Sequence, residues 1–349
     1  MNVEIRRVSL RLRTPWQTSA GSIPERDLLL LRLHDARGHM GQGEAAPLQS
    51  YDGVSLDDAR AALEDCRGVL SAADGSERVQ LLAECARLAV LPQALAAVDV
   101  ALWDLAGRRA GRPVWHLLDA PSSTPVEVNH TLMASDRAGA AREAAGAREL
   151  GFSCLKAKVG LGDDAGRLAA IRAAAGPEMA IRLDANGCWS LEEAQAALGV
   201  LEPVGLELCE EPVRGPDEIA RLARLTPVSL ALDESAAAPG ALDRRSCTAV
   251  CLKISRCGGI SGVLEAAVRA RAAGYEVYLA STLDGPVGIA AALHAAAAVN
   301  PDRPCGLATL SVFEGRRDPF PPRTGRIALP EGPGLGDGLH AWYADADPA

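Results

Sequence analysis

The chain has 349 residues, 48% of them hydrophobic and 23% charged, which is the composition of a globular protein with a large buried core. Its 36 basic and 45 acidic residues give a formal net charge of −9 without a basic stripe, which argues against nucleic acid or an anionic membrane as a partner. No apolar stretch has membrane-spanning length, the N-terminus lacks a signal-peptide core and the nine cysteines are scattered, so we expect a cytoplasmic protein that binds a small molecule.

Residues 1–115 are predicted to form an α+β domain. Hydrophobic patterning predicts two or three strands and then three helical segments, in chain order Val3–Leu12, Leu28–Asp35, Met40–Gly43, Leu56–Leu70, Ser76–Cys85 and Leu95–Ala110. In the tail after Arg323, turn signals surround one short predicted strand, Arg326–Leu329, which we expect to pair with the first domain. The sequence thus predicts a discontinuous capping domain, formed by residues 1–115 and completed by residues 324–349.

Residues 116–323 alternate between short β-branched runs and segments of helical period. The predicted strands are Val126–Leu132, Cys154–Val159, Ala180–Asp184, Leu206–Glu210, Val228–Asp233, Ala249–Ile254, Glu276–Ser281 and Cys305–Leu310. The predicted helices between them are Ala138–Leu150, Asp164–Ala175, Leu191–Leu201, Pro216–Leu225, Ile260–Ala273 and Val287–Val299. Eight alternating units predict an α/β protein with a (β/α)8 barrel beneath the cap, and a doubly wound open sheet is the alternative.

Charged residues lie inside or at the ends of these apolar strands: Lys156, Lys158, Asp184, Glu210, Asp233 and Lys253. From Lys158 onward they follow one another at intervals of 20 to 26 residues, which is about one βα unit. Apolar strands seldom carry charge without a purpose, and the carboxyl ends of barrel strands meet at one mouth. The pattern therefore predicts that these side chains converge on a single site.

The three acids each end a predicted strand. Converging carboxylates repel one another unless a divalent cation neutralises them, and all-oxygen ligation suits Mg²⁺ or Mn²⁺. Taken singly, each acid is more often a helix N-cap or half of a loop ion pair, because strand ends precede helix starts. Their regular spacing favours a metal site, and we predict that Asp184, Glu210 and Asp233 bind Mg²⁺, with Mn²⁺ as the alternative. Glu211 and Glu234 are expected to turn outward or to orient lysine or ligand groups.

The lysines provide candidate acid and base groups. Lys156 and Lys158 are two residues apart on one strand and so project to the same side, the barrel interior, unless the strand is a solvated edge. A second ammonium nearby disfavours protonation, so Lys158, nearer the strand end, is the predicted base. Lys253 is expected across the mouth. A metal holding a substrate carboxylate between two lysines favours removal of the α proton, because the metal stabilises the resulting enediolate.

The motifs around these residues resemble those of the enolase superfamily, and within it the muconate-lactonizing subgroup, over essentially the whole chain. They are Lys156-Ala157-Lys158, Asp184-Ala185-Asn186, Glu210-Glu211-Pro212, Asp233-Glu234-Ser235 and Lys253-Ile254-Ser255-Arg256-Cys257-Gly258-Gly259. A lysine base working with Mg²⁺ is a known feature of that superfamily. The stretch Gly41-Gln42-Gly43-Glu44-Ala45-Ala46-Pro47 also resembles its cap domain, whose loops near Gly21 and Tyr51 would close over substrate. The resemblance implies that Lys158 and Lys253 are the acid/base pair, and it leaves open whether the chain forms a homo-oligomer.

Two further motifs resemble the last strand ends of o-succinylbenzoate synthases: Ser281-Thr282-Leu283-Asp284-Gly285-Pro286-Val287-Gly288 and Cys305-Gly306-Leu307-Ala308-Thr309-Leu310. Dipeptide epimerases of the subgroup usually place an Asp-x-Asp pair on the eighth strand to hold a substrate ammonium, and no acid occurs here. This resemblance leads us to expect a lyase that binds a small-molecule carboxylate and dehydrates 2-succinyl-6-hydroxy-2,4-cyclohexadiene-1-carboxylate to o-succinylbenzoate, a step of menaquinone synthesis. Substrate contacts are expected from Lys156, Asn186, Ser281, Thr282 and the backbone amide of Gly306.

Other functions stay open at this stage. One is racemisation or epimerisation of N-acylated amino acids or dipeptides, with the two lysines as opposed bases. Another is muconate-type cycloisomerisation, because Leu283-Asp284-Gly285 also resembles muconate cycloisomerases. A Schiff-base aldolase would need a lysine but no carboxylate cluster, and an inactive barrel would only bind anions. His130, on the first predicted barrel strand, is a further candidate for the pocket.

Overall fold

The computed structural model describes residues 1–18, 21–72, 76–89, 91–121 and 123–344. An antiparallel sheet begins the chain, with strands β1, β2 and β3 in that order and the bounds Asn2–Thr18, Gly21–His34 and Met40–Ala45. Helices α1 to α5 follow over Gln49–Asp52, Leu56–Ala72, Arg78–Leu88, Pro92–Ala110 and Val114–Leu117. The predicted α+β cap is confirmed, and its first two strands extend beyond their predicted ends into a long hairpin.

Strand β2 lies between two hydrophobic cores because successive side chains of a strand point to opposite faces. Leu29, Leu31 and Leu33 are fully buried in the core that the cap sheet forms with α2, α3 and α4. Leu28 and Leu30 point the other way, into the core that continues through the barrel. The sheet therefore joins the cap to the barrel through apolar packing.

Helix α4 packs directly on β3 because two positions of that strand have no side chain. A Cβ atom at Gly43 would overlap the carbonyl oxygen of Ala97, and one at Gly41 would overlap the carbonyl oxygen of Ala101. Close approach of two backbones is a standard use of glycine. The Gly-x-Gly pair of the sequence is thus explained by packing.

The second part of the chain is a parallel barrel wrapped by helices. Strands β5 to β11 are hydrogen-bonded in sequential order, with the bounds His130–Thr131, Cys154–Lys158, Ala180–Asp184, Leu208–Glu210, Leu230–Leu232, Ala249–Leu252 and Glu276–Leu279. Helices α6 to α12 are Arg137–Glu149, Asp164–Ala175, Leu191–Leu201, Pro216–Leu222, Ile254–Cys257, Ile260–Ala272 and Pro286–Val299. The predicted (β/α)8 class is confirmed. None of the described helices is long and apolar enough to cross a bilayer.

The barrel closes through single bridges at the first and eighth strand positions. Val128 bridges Cys305, and Ala280 bridges Gly306. The predicted eighth strand, Cys305–Leu310, is wrong beyond Gly306, because the chain turns into a 3-10 helix over Leu310–Val312. Leu307 and Leu310 are both buried in the core, so their apolar character reflects packing from an irregular segment and not strand pairing.

The C-terminal tail differs from its predicted position. Its strand β12 (Arg326–Ile327) pairs with β4 (Val126–Glu127) at the start of the barrel, and not with the cap sheet. This pairing also takes Val126 and Glu127 out of the predicted first barrel strand. The tail reaches the cap farther on, where the Leu335 amide donates to Asp104 Oδ1 of α4 at 2.8 Å. After α13 (Leu339–Trp342), the Arg6 guanidinium also donates to the Tyr343 carbonyl at 2.7 Å.

A buried polar junction connects the cap, the tail and the loop after β11. Glu44, at the end of β3, accepts hydrogen bonds from the Tyr343 hydroxyl and, at 2.8 Å, from the Gly285 amide. Burial raises the pKa of Glu44 to about 7, with the nearby Asp284 carboxylate acting in the same direction. Burial also raises the pKa of Asp284, whose Oδ1 accepts from the Thr282 hydroxyl at 2.6 Å.

This junction predicts a pH-dependent free energy of unfolding. Glu44 has an ordinary pKa of 4.5, so between about pH 4.5 and 7 the folded chain holds a proton that the unfolded chain has released. Stability therefore falls as pH rises through that window. We expect Glu44→Gln, which keeps the side chain neutral, to gain stability relative to wild type between pH 5 and pH 8. Denaturant unfolding at both pH values measures this, and an unchanged difference between the two proteins would refute it.

Candidate active site

A cavity of about 320 Å³ lies where the barrel strands end beneath the cap. The cap contributes Trp16 and Ile23, which pair across the β1–β2 hairpin, together with Leu48 and Tyr51 near α1. Most of the predicted site residues line this cavity: Lys156, Lys158, Asp184, Asn186, Asp233, Lys253, Ser281, Thr282 and Gly306. Glu210 lies next to Asp184 and is fully buried. The structure thus brings together the predicted lysines, carboxylates and substrate contacts.

The two candidate acid/base lysines lie on opposite walls. Lys158 ends β6, the second barrel strand, and Lys253 follows β10, the sixth. The second and sixth strands are four steps apart in a ring of eight, which is half of the barrel circumference. Asp184, Glu210 and Asp233 belong to the three strand ends between them. A ligand at the centre of the mouth is therefore reached by one ammonium from each side.

Lys156 joins two of the predicted metal ligands. Its Nζ is 3.0 Å from Asp184 Oδ2 and also donates to Glu210 Oε2. Burial alone would lower the pKa of Lys156, but the Asp184 and Glu210 carboxylates outweigh it and raise that pKa above its usual value. The same ammonium, with that of Lys158, overcomes burial to hold the pKa of Asp184 below its usual range. Lys156 therefore stays charged and organises the carboxylates, which leaves Lys158 as the member of the pair predicted to be the base.

Lys158 is held by the strand beside it. Its Nζ is 3.5 Å from Asp184 Oδ2 and donates to Asn186 Oδ1. Asn186 in turn donates from Nδ2 to Glu234 Oε1 at 3.0 Å. Glu234 is half-buried, and burial raises its pKa to about 8, with Asp233 and Asp184 adding to the effect. Asn186 thus orients Lys158. The sequence predicts Asn186 as a substrate contact only, so this orienting role is new.

Lys253 contacts both the barrel and the cap. Its Nζ donates at 2.8 Å to Asp233 Oδ2 and at 2.8 Å to the hydroxyl of Tyr51. The Tyr51 hydroxyl donates to Asp233 Oδ1 at 2.8 Å, which closes a three-membered cluster. Burial would lower the pKa of Lys253, but Asp233 outweighs it and raises the pKa. A loop near Tyr51 is expected from the sequence to close over substrate, but the contact between Tyr51 and Lys253 is not predicted.

A layer below the cavity fixes Glu210. The Tyr278 hydroxyl donates to Glu210 Oε1 at 2.8 Å, and the fully buried Arg182 guanidinium is 3.6 Å from the same oxygen. Arg182 also pairs with Glu207 at 3.1 Å and lies over the Tyr278 ring, 4.3 Å from its centroid. Sequence reasoning missed both groups. Arg182 had a signal, because it is two residues before Asp184 and so shares its inward face.

Glu211 supports the loop after the fifth barrel strand. Its carboxylate accepts the Asp233 amide at 2.8 Å and the amide and hydroxyl of Ser235. Glu211 therefore does not turn outward, and its contacts fit the other predicted role, which is to orient neighbouring groups of the site. Glu211 has a positive φ of 40°, as does Asn186 with 46° and Leu283 with 59°. Such strained backbone in non-glycine residues clusters at functional sites, and these three residues all line the cavity.

The wall formed by the seventh and eighth strand positions is neutral. The Ser281 and Thr309 hydroxyls bond to each other at 3.0 Å, and Thr282 bonds to Asp284. The Gly306 amide donates to the Leu279 carbonyl at 2.8 Å, so it is not free to receive a substrate carboxylate as predicted. His130 does not line the cavity, and its ring lies against Phe152 with centroids 5.2 Å apart.

The acidic side chains fit a hard divalent cation by their chemistry. Asp184, Glu210 and Asp233 supply buried carboxylate oxygens from three adjacent strand ends, the donor type that Mg²⁺ and Mn²⁺ take. Their charge is balanced by Lys156 and Lys253, which lie beside them. The lysine contacts hold the carboxylates apart from one another. Among the described residues, no three His, Cys, Asp or Glu side chains are close enough together to hold a metal ion in this arrangement.

Fold and site together define a capped (β/α)8-barrel enzyme with lysines and carboxylates at its mouth. Residues 1–119 match the N-terminal domain of mandelate racemase and muconate lactonizing enzyme, and residues 139–341 match the enolase C-terminal domain-like family. The chain therefore belongs to the enolase superfamily.

Relatives that match nearly the whole chain include epimerases and racemases, and also a muconate cycloisomerase of Rhodococcus opacus at 31% identity with 98% of each chain covered. The chain is 30% identical to the L-Ala-D/L-Glu epimerase of Bacillus subtilis (strain 168), with 96% of each chain covered. The dipeptide epimerase of Cytophaga hutchinsonii, complexed with Mg and D-Ala-L-Val, has a TM-score of 0.87 at 28% identity, with 97% of each chain covered. The N-succinyl Arg/Lys racemase of Bacillus cereus ATCC 14579 has a TM-score of 0.89 at 25% identity, covering 99% of this chain and 98% of that one.

These relatives contradict the expected o-succinylbenzoate synthase activity and the lyase class with it, because epimerases and racemases are isomerases. The motif that suggested the synthase has a structural explanation. In Cys305–Leu310 the Gly306 amide closes the barrel, and Leu307 and Leu310 are buried in the core. The Gly306 amide, Leu307 and Leu310 therefore serve the fold, and their resemblance to the synthase motif is no evidence for that substrate.

Proposed function

We propose that the chain is a racemase or epimerase that inverts the α-carbon of an N-acylated amino acid or a dipeptide. The observation that carries this proposal is the placement of Lys158 and Lys253 on opposite walls of one cavity. Inversion needs a proton removed from one face of a carbon and delivered to the other, and two opposed lysines supply both steps. The epimerase and racemase relatives support it.

In the proposed reaction, one lysine removes the α proton as a neutral amine and the other, as an ammonium, returns a proton to the opposite face. The two lysines exchange roles when the other epimer is the substrate. Lys156 keeps Asp184 and Glu210 in place, and Asn186 and Tyr51 aim the two reactive Nζ atoms. The apolar walls and the cap exclude water from the carbanionic state.

A bound Mg²⁺, with Mn²⁺ as the alternative, belongs to the same proposal. Asp184, Glu210 and Asp233 would hold it, as their donor chemistry fits. When bound, it supplies positive charge that stabilises the negative charge developing on the substrate carboxylate. A cytoplasmic location and homo-oligomerisation remain predictions.

The cavity walls favour a substrate whose nitrogen is acylated. Ser281, Gly306 and Thr309 offer no carboxylate to a substrate ammonium, while Trp16 and Ile23 offer apolar surface from the cap. A substrate ammonium placed against this wall would be buried without a carboxylate partner, which is costly. N-acylated amino acids therefore rank ahead of free dipeptides as substrates.

Deuterium uptake tests the proposed function and its metal dependence. We would incubate the protein in D2O with a panel of N-acetyl and N-succinyl amino acids and dipeptides, in both configurations, and follow loss of the α-proton NMR signal. Exchange and inversion are expected with Mg²⁺, and both should fall by at least about a thousandfold with a chelator. No exchange with any compound would refute the proposed function.

A further inference from the structure

Tyr51 is a cap residue whose hydroxyl is hydrogen-bonded to one of the two reactive lysines, Lys253. It belongs to α1, and its hydroxyl lies 2.8 Å from both Lys253 Nζ and Asp233 Oδ1. The Lys253 Nζ also lies over the Tyr51 ring, 4.2 Å from the centroid. The contact therefore joins the cap to one of the two acid/base groups.

Lys253 has space on both sides. A second cavity, of about 210 Å³, lies between β10, α10 and α11, and Lys253 and Tyr51 border this cavity as well as the main one. A long, flexible lysine side chain between two cavities needs a partner to fix the direction of its Nζ. The Tyr51 hydroxyl and Asp233 supply it.

The two lysines are held by different parts of the molecule. Lys158 is held within the barrel by Asn186 and Asp184, whereas Lys253 is held by Asp233 of the barrel and also by Tyr51 of the cap. Removing one positioning contact should therefore affect one half of the reaction and spare the other.

We propose that Tyr51 is a positioning residue that aims Lys253 at the substrate, so that the cap controls the proton transfer on the Lys253 face alone. This inference rests on the proposed function, because it assigns separate faces to the two lysines. It concerns the direction of the Nζ and the hydrogen bond that fixes it, and it requires no proton transfer through Tyr51.

The test is α-proton exchange in D2O, measured for each configuration separately with the panel compound that wild type exchanges fastest. Lys253→Ala first identifies the configuration that depends on Lys253. Tyr51→Phe should then lower exchange of that configuration by about tenfold to a hundredfold, the effect of one hydrogen bond to a charged group, and leave exchange of the other within about twofold. Phenylalanine keeps the ring over Lys253, so the variant removes only the hydroxyl.

Asn186→Gly is the matched control on the other wall. Asn186 has a positive φ, which glycine tolerates, so this variant removes the contact to Lys158 without adding backbone strain. It should lower exchange of the opposite configuration. Equal losses in both configurations for Tyr51→Phe would overturn the inference, because that result describes a substrate contact or a folding defect.

A second measurement separates this inference from the proposed function. The rate at which trinitrobenzenesulfonate modifies each lysine, followed by mass spectrometry of the full chain, needs no turnover. Tyr51→Phe should change the modification rate of Lys253 severalfold and leave that of Lys158 unchanged. If wild type exchanges no panel compound but this difference is found, the proposed function fails and the positioning role stands. If neither lysine changes, the positioning role fails.

Discussion

Lys158→Ala is expected to abolish interconversion of the two configurations while leaving Mg²⁺ binding intact. Inversion requires both lysines, so the loss should reach the hundredfold to ten-thousandfold range typical of a missing general base, or the limit of detection. Lys158 is not among the predicted metal ligands and contacts only one of them, Asp184, at 3.5 Å. Initial rates by polarimetry and calorimetric Mg²⁺ titration measure the two parts separately.

Lys158→Arg is the matched control for charge. Arginine retains a cation near Asp184 and Asn186, but its pKa above 12 prevents it from acting as a base. If Lys158 is a base, both variants should lose inversion to a similar extent. If it acts only as a positive charge, arginine should restore much of the rate that alanine loses, and this outcome would contradict the assignment.

The barrel could be predicted from sequence because its pattern is local. Parallel strands buried on both faces appear as apolar runs. The helix Asp164–Ala175 agrees with its predicted bounds at both ends, and the other predicted barrel helices differ by three residues or fewer at either end. The first and eighth strand positions of the barrel could not be predicted in this way. Val126–Glu127 and Cys305–Gly306 are fixed by pairing with segments distant in sequence, which periodicity does not record.

The site residues also divide into those that a local sequence pattern predicts and those that it does not. Regular spacing located the lysines and carboxylates, because strand ends in a barrel meet at one mouth. Spacing did not reveal Tyr51 or Tyr278, whose hydroxyls reach the site from a cap segment and from a deeper layer of the barrel. Nor did it fix the pKa of Lys156, which depends on the two carboxylates that the fold places within reach of its Nζ.

The substrate was the least readable property. Members of one superfamily share the proton-abstracting residues and differ in the walls, and here the walls come from both domains. Trp16 and Ile23 lie in a hairpin extension that the predicted strands did not reach. The motif at the eighth strand position resembles a specificity motif, although its Gly306 amide closes the barrel.

Gly43→Ala is expected to produce the largest loss of stability among conservative substitutions in the cap. The added Cβ would overlap the Ala97 carbonyl oxygen, a backbone atom in the middle of α4 that cannot move without the helix. Overpacking usually costs 1–3 kcal/mol and more when the backbone must shift, so we expect about 3 kcal/mol or more. Equilibrium denaturant unfolding measures the change.

Gly68→Ala, on an exposed turn of α2, is the matched control. No atom lies within 4 Å of its added Cβ, so the same substitution should raise stability by about 0.5–1 kcal/mol through helix propensity.

Displacement of α4 in the Gly43→Ala protein has a further consequence, because Gln93 on that helix donates to Asp52 of α1, the helix that carries Tyr51. Any Gly43→Ala protein that folds should therefore lose exchange on the Lys253 face more than on the Lys158 face. Unfolding free energies that do not separate the two alanine variants would show that α4 yields without cost, and would remove the packing explanation for the Gly-x-Gly pair.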